Sequence, residues 1–302
     1  MYRAGLAVTA LLGSSSLLAS PLWAQAPQSA DLWRLAAASL AGPAALESGA
    51  TAAFWNAAAA QSDVRLRTGV EVLETPDVLS ISGLLGGVTY RVTPTLAAQV
   101  LVGRIGVTDL IRTTTSPASE PGAIPVYEEM VGVGAALRRG PLTAGALLSG
   151  HDARFDADRS AGLTADAGVR LALPRLTVAA ATHFFPINGT DRRVTDYYAG
   201  AEYDLLRPRL WGAPAHVLLR YGLSTGERTG PEHGGGVGLA LASQFRLDAN
   251  LVRERGYADA AWRPTVGVHF RVGRYAIAAA RATGLNGIGA SYRVGLDVDL
   301  RQ

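Results

Sequence analysis

Residues Leu163–Leu173 read LTADAGVRLAL. Leu163, Ala165, Ala167, Val169, Leu171 and Leu173 occupy every second position, and Thr164, Asp166, Gly168 and Arg170 lie between them. Successive side chains of an extended chain point to opposite faces, so a repeat of two is a strand with one apolar and one polar face. The same alternation runs through Val64–Val72, Ala215–Ser224, Thr265–Val272 and Ile288–Arg301. Weaker copies begin near Val78, Leu96, Val126, Leu142, Leu176, Tyr197, Val237, Leu251 and Tyr275. The total is about fourteen strands, and an even number is the rule for single-chain bacterial barrels.

The connectors alternate in kind. Thr93-Pro94, Arg139-Gly140, Pro174-Arg175, Leu247-Asp248 and Gly273-Arg274 read as tight turns, with a longer one at Arg207–Pro214. Asp109–Pro125, Asp152–Ser160, Asn188–Thr195, Gly226–Gly234 and Glu254–Arg263 read as long polar loops. Short turns on one side and long loops on the other are the asymmetry of outer-membrane barrels. A soluble β-sandwich would give the same period of two, because alternation does not say which face is wet. Strand length favours the barrel, since these runs reach about ten residues where soluble strands average roughly five to six. The 35 glycines favour it too, sitting mostly on polar faces. Tyr90, Tyr127, Phe184, Tyr203, Tyr221, Phe245, Tyr275 and Tyr292 lie near strand ends, where interfacial aromatic girdles form.

The N-terminus sets the compartment. Arg3 precedes the apolar or small run Ala4–Ala19, Pro21 breaks it, and Ala24 offers a cleavage position, which is the layout of a secretory signal peptide. Later stretches lack an uncharged helical span, so entry into a membrane requires a closed barrel. The expected organisation is a signal peptide at 1–24, a lumen plug at 25–62 and a transmembrane barrel at 63–302. The expected fold is an all-β antiparallel up-and-down barrel with a short, partly helical N-terminal lumen segment, in the bacterial outer membrane.

Composition excludes several functions. The chain has no cysteine, so disulfides, thiolate metal sites and thiol nucleophiles are absent. All 28 basic residues are arginine, the net charge is +3, and the arginines are scattered among apolar residues. A phosphate-binding patch would need them clustered, so nucleic acid is not an expected partner.

In front of the strands, Gly42–Ala60 reads GPAALESGATAAFWNAAAA. Gly42, Ala45, Leu46, Ala50, Ala52, Phe54, Trp55 and Asn56 resemble the N-terminal signature of the FadL-like outer-membrane superfamily and its PorV/PorQ relatives. Ala57 stands where that pattern has proline, Pro43 where it has a second glycine, and Ala59-Ala60 where it has Gly-Leu. The resemblance implies a fourteen-stranded barrel with the N-terminal segment folded into the lumen. Phe54 and Trp55 would then anchor the plug and Asn56 would hydrogen-bond within it.

The expected lumen lining is Arg65, Arg67, Glu71, Glu128, Asp166, Arg170, His183, Glu202, Arg220, His269, Arg271 and Arg293. Such residues either bias which solutes pass or pair across neighbouring strands and fill the lumen, as Asp166 with Arg170 or Arg293 with Asp297 would. No histidine spacing fits a metal site, and no cofactor is called for. Asp152, Asp156 and Asp158 read as solvated loop carboxylates rather than a calcium site. Ser149-Gly150-His151 lacks the context of a nucleophile elbow, so an enzyme is not expected. The expected function is passive passage of a small solute, hydrophobic if it follows the resemblance. The alternative is a non-transporting structural or secretion-associated scaffold. Expected partners are outer-membrane lipid, an unidentified solute and, for the scaffold, an envelope protein.

Overall fold

The computed structural model describes residues 29–61, 63–75, 80–111, 122–186, 193–227, 229–242, 244–255, 260–284 and 289–301. The expected signal peptide and residues 188–192 of the expected Asn188–Thr195 loop lie outside these residues.

Fourteen long antiparallel strands close into one barrel. They are β1 (Leu66–Thr75), β2 (Ile81–Arg91), β3 (Leu96–Val107), β4 (Val126–Arg139), β5 (Leu142–Phe155), β6 (Asp158–Ala172), β7 (Leu176–Pro186) and β8 (Arg193–Leu206), then β10 (Ala213–Gly226), β11 (Thr229–Leu241), β12 (Phe245–Arg255), β13 (Ala260–Val272), β14 (Tyr275–Ala282) and β15 (Ser291–Arg301). The two-residue β9 (Arg209–Leu210) pairs with the start of β10 inside a turn. Each long strand pairs with its sequence neighbours, and β1 pairs with β15 from Arg67↔Asp299 to Glu74↔Tyr292, which closes the sheet. Closure satisfies every strand edge, the condition for crossing lipid.

The outward face of each strand is apolar and exposed. Val131 and Val133 on β4, Leu163 and Val169 on β6, and Val266 and Val268 on β13 all point out. Facing inward between the strand-β6 pair are Thr164 and Asp166, both buried. This inversion, with polar groups inside and apolar groups outside, makes the barrel a transmembrane one. Tyr90, Tyr203, Phe245 and Tyr275 are exposed near the turn side, and Tyr197 and Tyr292 near the loop side.

On the turn side, glycine occupies the left-handed position of two hairpins, Gly140 (φ 59°) and Gly273 (φ 55°), where it carries no Cβ penalty. On the other side, two connectors expected to be long are not. Strand β5 runs to Phe155 and β6 starts at Asp158, while β10 runs to Gly226 and β11 starts at Thr229. Polarity there reflects solvated strand, not loop. Arg159 grips Asp152 across the β5–β6 hairpin at 2.8 and 2.9 Å, so pairing continues where apolar side chains stop. The turn expected at Leu247-Asp248 lies instead between Leu241 and Phe245, and Asp248 is an inward residue of β12.

The N-terminal segment fills the lumen. Helix α1 (Ser29–Ala38, SADLWRLAAA) is built of alanine and other good helix formers, with Asp31 in the first turn, where the helix dipole favours an acid. Three short 3-10 turns follow at Ala44–Leu46, Ala52–Phe54 and Ala57–Ala60. Small residues let this backbone lie against the wall. A Cβ on Gly145 of β5 would strike the Ala57 carbonyl, and one on Gly87 of β2 would strike that of Ala50.

Candidate functional site

The lumen has two unlike halves. Trp33, Phe54 and Trp55 sit in the main buried apolar cluster with Leu85, Leu101, Ile105, Met130 and Leu147 of β2–β5 and Phe185 and Val194 of β7 and β8. Phe54 meets Trp33 at 4.5 Å and Trp55 edge-on at 4.7 Å between ring centroids. This side of the plug is dry. Asn56 is fully buried and fastens it: Nδ2 donates to the carbonyls of Ala45 (2.9 Å) and Val169 (3.3 Å), and Oδ1 accepts from Ala58 N–H (3.0 Å), capping the last 3-10 turn. Three of its hydrogen-bonding positions are therefore filled by backbone.

Two buried chains of titratable groups border the dry side. His183 Nε2 donates to the Trp55 carbonyl at 3.0 Å, and its Nδ1 lies 3.2 Å from Asp166. Glu128 lies 2.7 Å from His151 Nδ1, and Thr164 lies 2.8 Å from His151 Nε2. Ser149 Oγ is buried beside this set without a hydrogen-bond partner among the described residues. Glu128, Ser149, His151 and Thr164 are all buried, at 5% exposure or less.

The opposite half is wet. A cavity of about 350 Å³ lies between plug residues 40–49 and a wall drawn chiefly from β10, β12–β15 and β1. Arg67, Arg220, Arg246, Arg271 and Arg293 line it with Glu47, Glu71, Glu202, Asp248, Asp297 and His269. Arg220 pairs with Glu202 at 2.8 Å and Asp248 at 2.9 Å, and Arg246 bridges the same two carboxylates. His269 approaches Asp248 at 3.3 Å. Arg67 and Arg271 share Asp299, each at 2.7 Å. Arg293 pairs with Glu71, donates to Ser39 Oγ at 3.0 Å and to the Ala36 carbonyl at 2.6 Å, and lies over the Trp55 ring at 5.5 Å.

Placement of the sequence-derived residues is uneven. Arg67, Glu71, Glu202, Arg220, His269, Arg271 and Arg293 meet around the cavity, whereas Glu128, Asp166 and His183 lie in the buried chains. The Arg170 side chain is partly buried and makes no ion pair or hydrogen bond among the described residues; the charges of Glu202 and Glu47 act on it from a distance. Arg65 is not in the lumen. It is exposed just before the first residue of β1 and lies at the rim, 3.1 Å from the exposed Tyr90 hydroxyl. The suggested pairs Asp166–Arg170 and Arg293–Asp297 do not form. Residues four apart on a strand are separated by about 13 Å, while cross-strand neighbours are about 5 Å apart. Asp166 therefore pairs with His183 and Arg293 with Glu71, while Asp297 accepts from Ala50 N–H at 2.8 Å.

Sequence reasoning missed Ser39, Glu47 and Asn250, which donates to the Ala41 carbonyl. The signal for Asn250 was the alternation of Phe245, Leu247, Ala249 and Leu251 around it. For Ser39 and Glu47 no periodic signal exists, because the plug has no regular face. Burial and the nearby Glu71 charge raise the Glu47 carboxyl to about 7.

No protein-family model matches the chain, and no curated protein matches it. Among solved structures, it is similar in fold to the Ralstonia pickettii toluene transporter TbuX, at 11% identity and a TM-score of 0.48, over 85% of this chain and 96% of that one. It is likewise similar to the Acinetobacter baumannii outer membrane protein Omp33, at 12% identity and a TM-score of 0.45, over 78% of this chain and 98% of that one. A mutant Rh. blastica porin aligns at 10% identity and a TM-score of 0.40, over 78% and 98%. These likenesses are ones of barrel architecture.

Proposed function

We propose that this chain is a bacterial outer-membrane barrel through which a small solute passes, with residues 29–61 as its internal constriction. The carrying observation is the cavity of about 350 Å³ left between the plug and the β12–β15 wall. A lumen filled only for stability would be packed to interior density throughout. Here one side is packed and the other keeps a polar compartment of ligand-binding size. The resemblance of Gly42–Ala60 to the FadL-like superfamily supports the reading, since that segment lies inside the barrel. The turn side, from which the chain enters β1 and leaves β15, would face the periplasm. Passage needs no covalent chemistry, only a shift of the plug along its wet side.

Reconstitution into planar bilayers and solute-loaded liposomes tests this. The full chain should show small conductance steps and measurable swelling, and a chain lacking residues 29–61 should show much larger ones. Silence from both proteins, each correctly inserted, would sink it. The dry packing of Trp33, Phe54 and Trp55 favours a second reading, a closed scaffold. That reading expects no flux, and expects loop deletions to abolish surface display of a partner protein.

A further inference from the structure

The charges around the cavity do not all cancel in pairs. Arg220 and Arg246 are balanced by Glu202 and Asp248, and Arg293 by Glu71. Four lining groups stand outside that bookkeeping. Arg67 and Arg271 share the single carboxylate of Asp299, each through one nitrogen, so most of their donors make no hydrogen bond among the described residues. The Glu47 side chain makes no ion pair or hydrogen bond among the described residues, and the Asp297 side chain, within the field of Arg67, accepts one hydrogen bond, from Ala50 N–H. Guanidinium donors and carboxylate acceptors are thus both held ready in one compartment.

We propose that this compartment binds a small zwitterion, a molecule of amino-acid size carrying one carboxylate and one ammonium group. The ligand carboxylate meets Arg67 and Arg271, whose planar donors suit a carboxylate. Its ammonium meets Glu47 from the plug and Asp297 from the wall. The wall beside these groups is small: Ala276 of β14 pairs in register with both Arg271 and Asp297, and the next row up the barrel is Ala278 with Gly295, so little or no side chain enters the lumen there, leaving room for a ligand body. A purely apolar solute would displace solvent from the remaining guanidinium donors and carboxylate oxygens without replacing its hydrogen bonds, which is costly in a confined site. A one-headed ion would satisfy only one of them. Because Glu47 belongs to the plug and the arginines to the wall, a bound zwitterion bridges the two and competes with the contacts that hold the plug in place.

The inference deepens the conduit reading and rests on it for its meaning, but it is measured separately. Full-length refolded protein is titrated calorimetrically with L-norleucine, hexanoate, n-pentylamine and toluene. Norleucine should bind at least about tenfold more tightly than either one-headed counterpart, a difference near 1.4 kcal/mol, and toluene should not compete. Glu47→Gln should weaken norleucine and leave hexanoate unchanged, whereas Arg271→Gln should weaken both. Should Glu47→Gln fail to fold by heat-modifiable gel migration, Asp297→Asn carries the same expectation. Equal binding of norleucine and hexanoate or pentylamine, toluene competition, absence of norleucine binding, or indifference to these substitutions overturns the site. Norleucine binding without liposome swelling would leave the site standing and remove the conduit; swelling without binding would do the reverse.

Discussion

Arg293 joins more of the lumen than any other side chain described above. Its guanidinium reaches Ser39, the Ala36 carbonyl and Glu71, and its plane lies over Trp55. Ala36 belongs to the last turn of α1, whose carbonyls lack helical partners and carry the negative end of the dipole. Arg293→Met keeps the stem but removes the cation shared by the Ala36 carbonyl and Glu71, leaving the carbonyl to Ser39 and the Glu71 carboxylate to the neutral Thr51 hydroxyl. Its expected cost is about 3 kcal/mol in plug docking, the scale for breaking a buried pair, read as faster amide exchange across residues 36–55. Glu47 sets a pH dependence of opposite character. Its carboxyl titrates near 7 in the folded protein, against 4.5 ordinarily, because burial and Glu71 disfavour the charge, while His269, Arg293 and Arg246 partly offset them. A group whose folded pKa is raised in this way binds extra protons in the folded state between those two values, so stability falls as pH rises from about 4.5 to 7. Plug docking should therefore be tighter at pH 5 than at pH 7.5 by amide exchange, and Glu47→Gln should abolish the difference. An unchanged pH profile in that variant would contradict the assignment.

At the scale of the element, the plug is an irregular segment held by shape on one side and by charge on the other. Few of its residues repeat with any period, so its fit was legible only through composition: alanines that approach a wall, glycines on that wall, and Phe54-Trp55-Asn56 as the exception. Which glycine meets which carbonyl could not be read, because that depends on the rotation of the segment within the barrel. The absence of cysteine offers a direct measurement. Ala50 Cβ lies 3.1 Å from where a Cβ on Gly69 would stand, a little under the spacing of about 3.5–4.5 Å that a disulfide spans; that Cβ would also strike the Asp297 carboxylate, so the bond is built in an Asp297→Ala background. The oxidised Ala50→Cys/Gly69→Cys protein should conduct less than its Asp297→Ala parent in bilayers and recover on reduction. Conductance that ignores the bond would place the flow elsewhere than beside this part of the plug.

For the whole molecule, lipid made the barrel legible. Every second residue of every strand must be apolar where it meets hydrocarbon, and that requirement writes a period of two along the chain regardless of what the lumen holds. The same logic hid the loop-side hairpins, since strands beyond the membrane lose the apolar signal while keeping their hydrogen bonds. Arg159 and Asp152 occupy such a stretch. Lumen polarity was legible too, but not its pairing, because ion pairs form between strands whose register the sequence does not print. A substitution separates the two faces. Val133→Arg, midway along β4 and pointing out, should cost about 2–4 kcal/mol of barrel stability in lipid, measured by reversible denaturant unfolding. Arg271→Gln, pointing inward near the strand end, should cost far less.

Strands β1 and β15 are the first and last to be made, and their meeting closes the cylinder. The plug is bonded to both: Thr51 donates to Glu71 of β1, and Ala50 donates to Asp297 of β15, with Arg293 of β15 reaching Glu71 across the join. The segment that narrows the finished lumen thus sutures the seam, and it is synthesised before either strand. Biogenesis should feel its loss before transport does: a chain lacking residues 29–61 should linger as an unsealed sheet, seen as slow conversion to the compact gel form during refolding into bilayers.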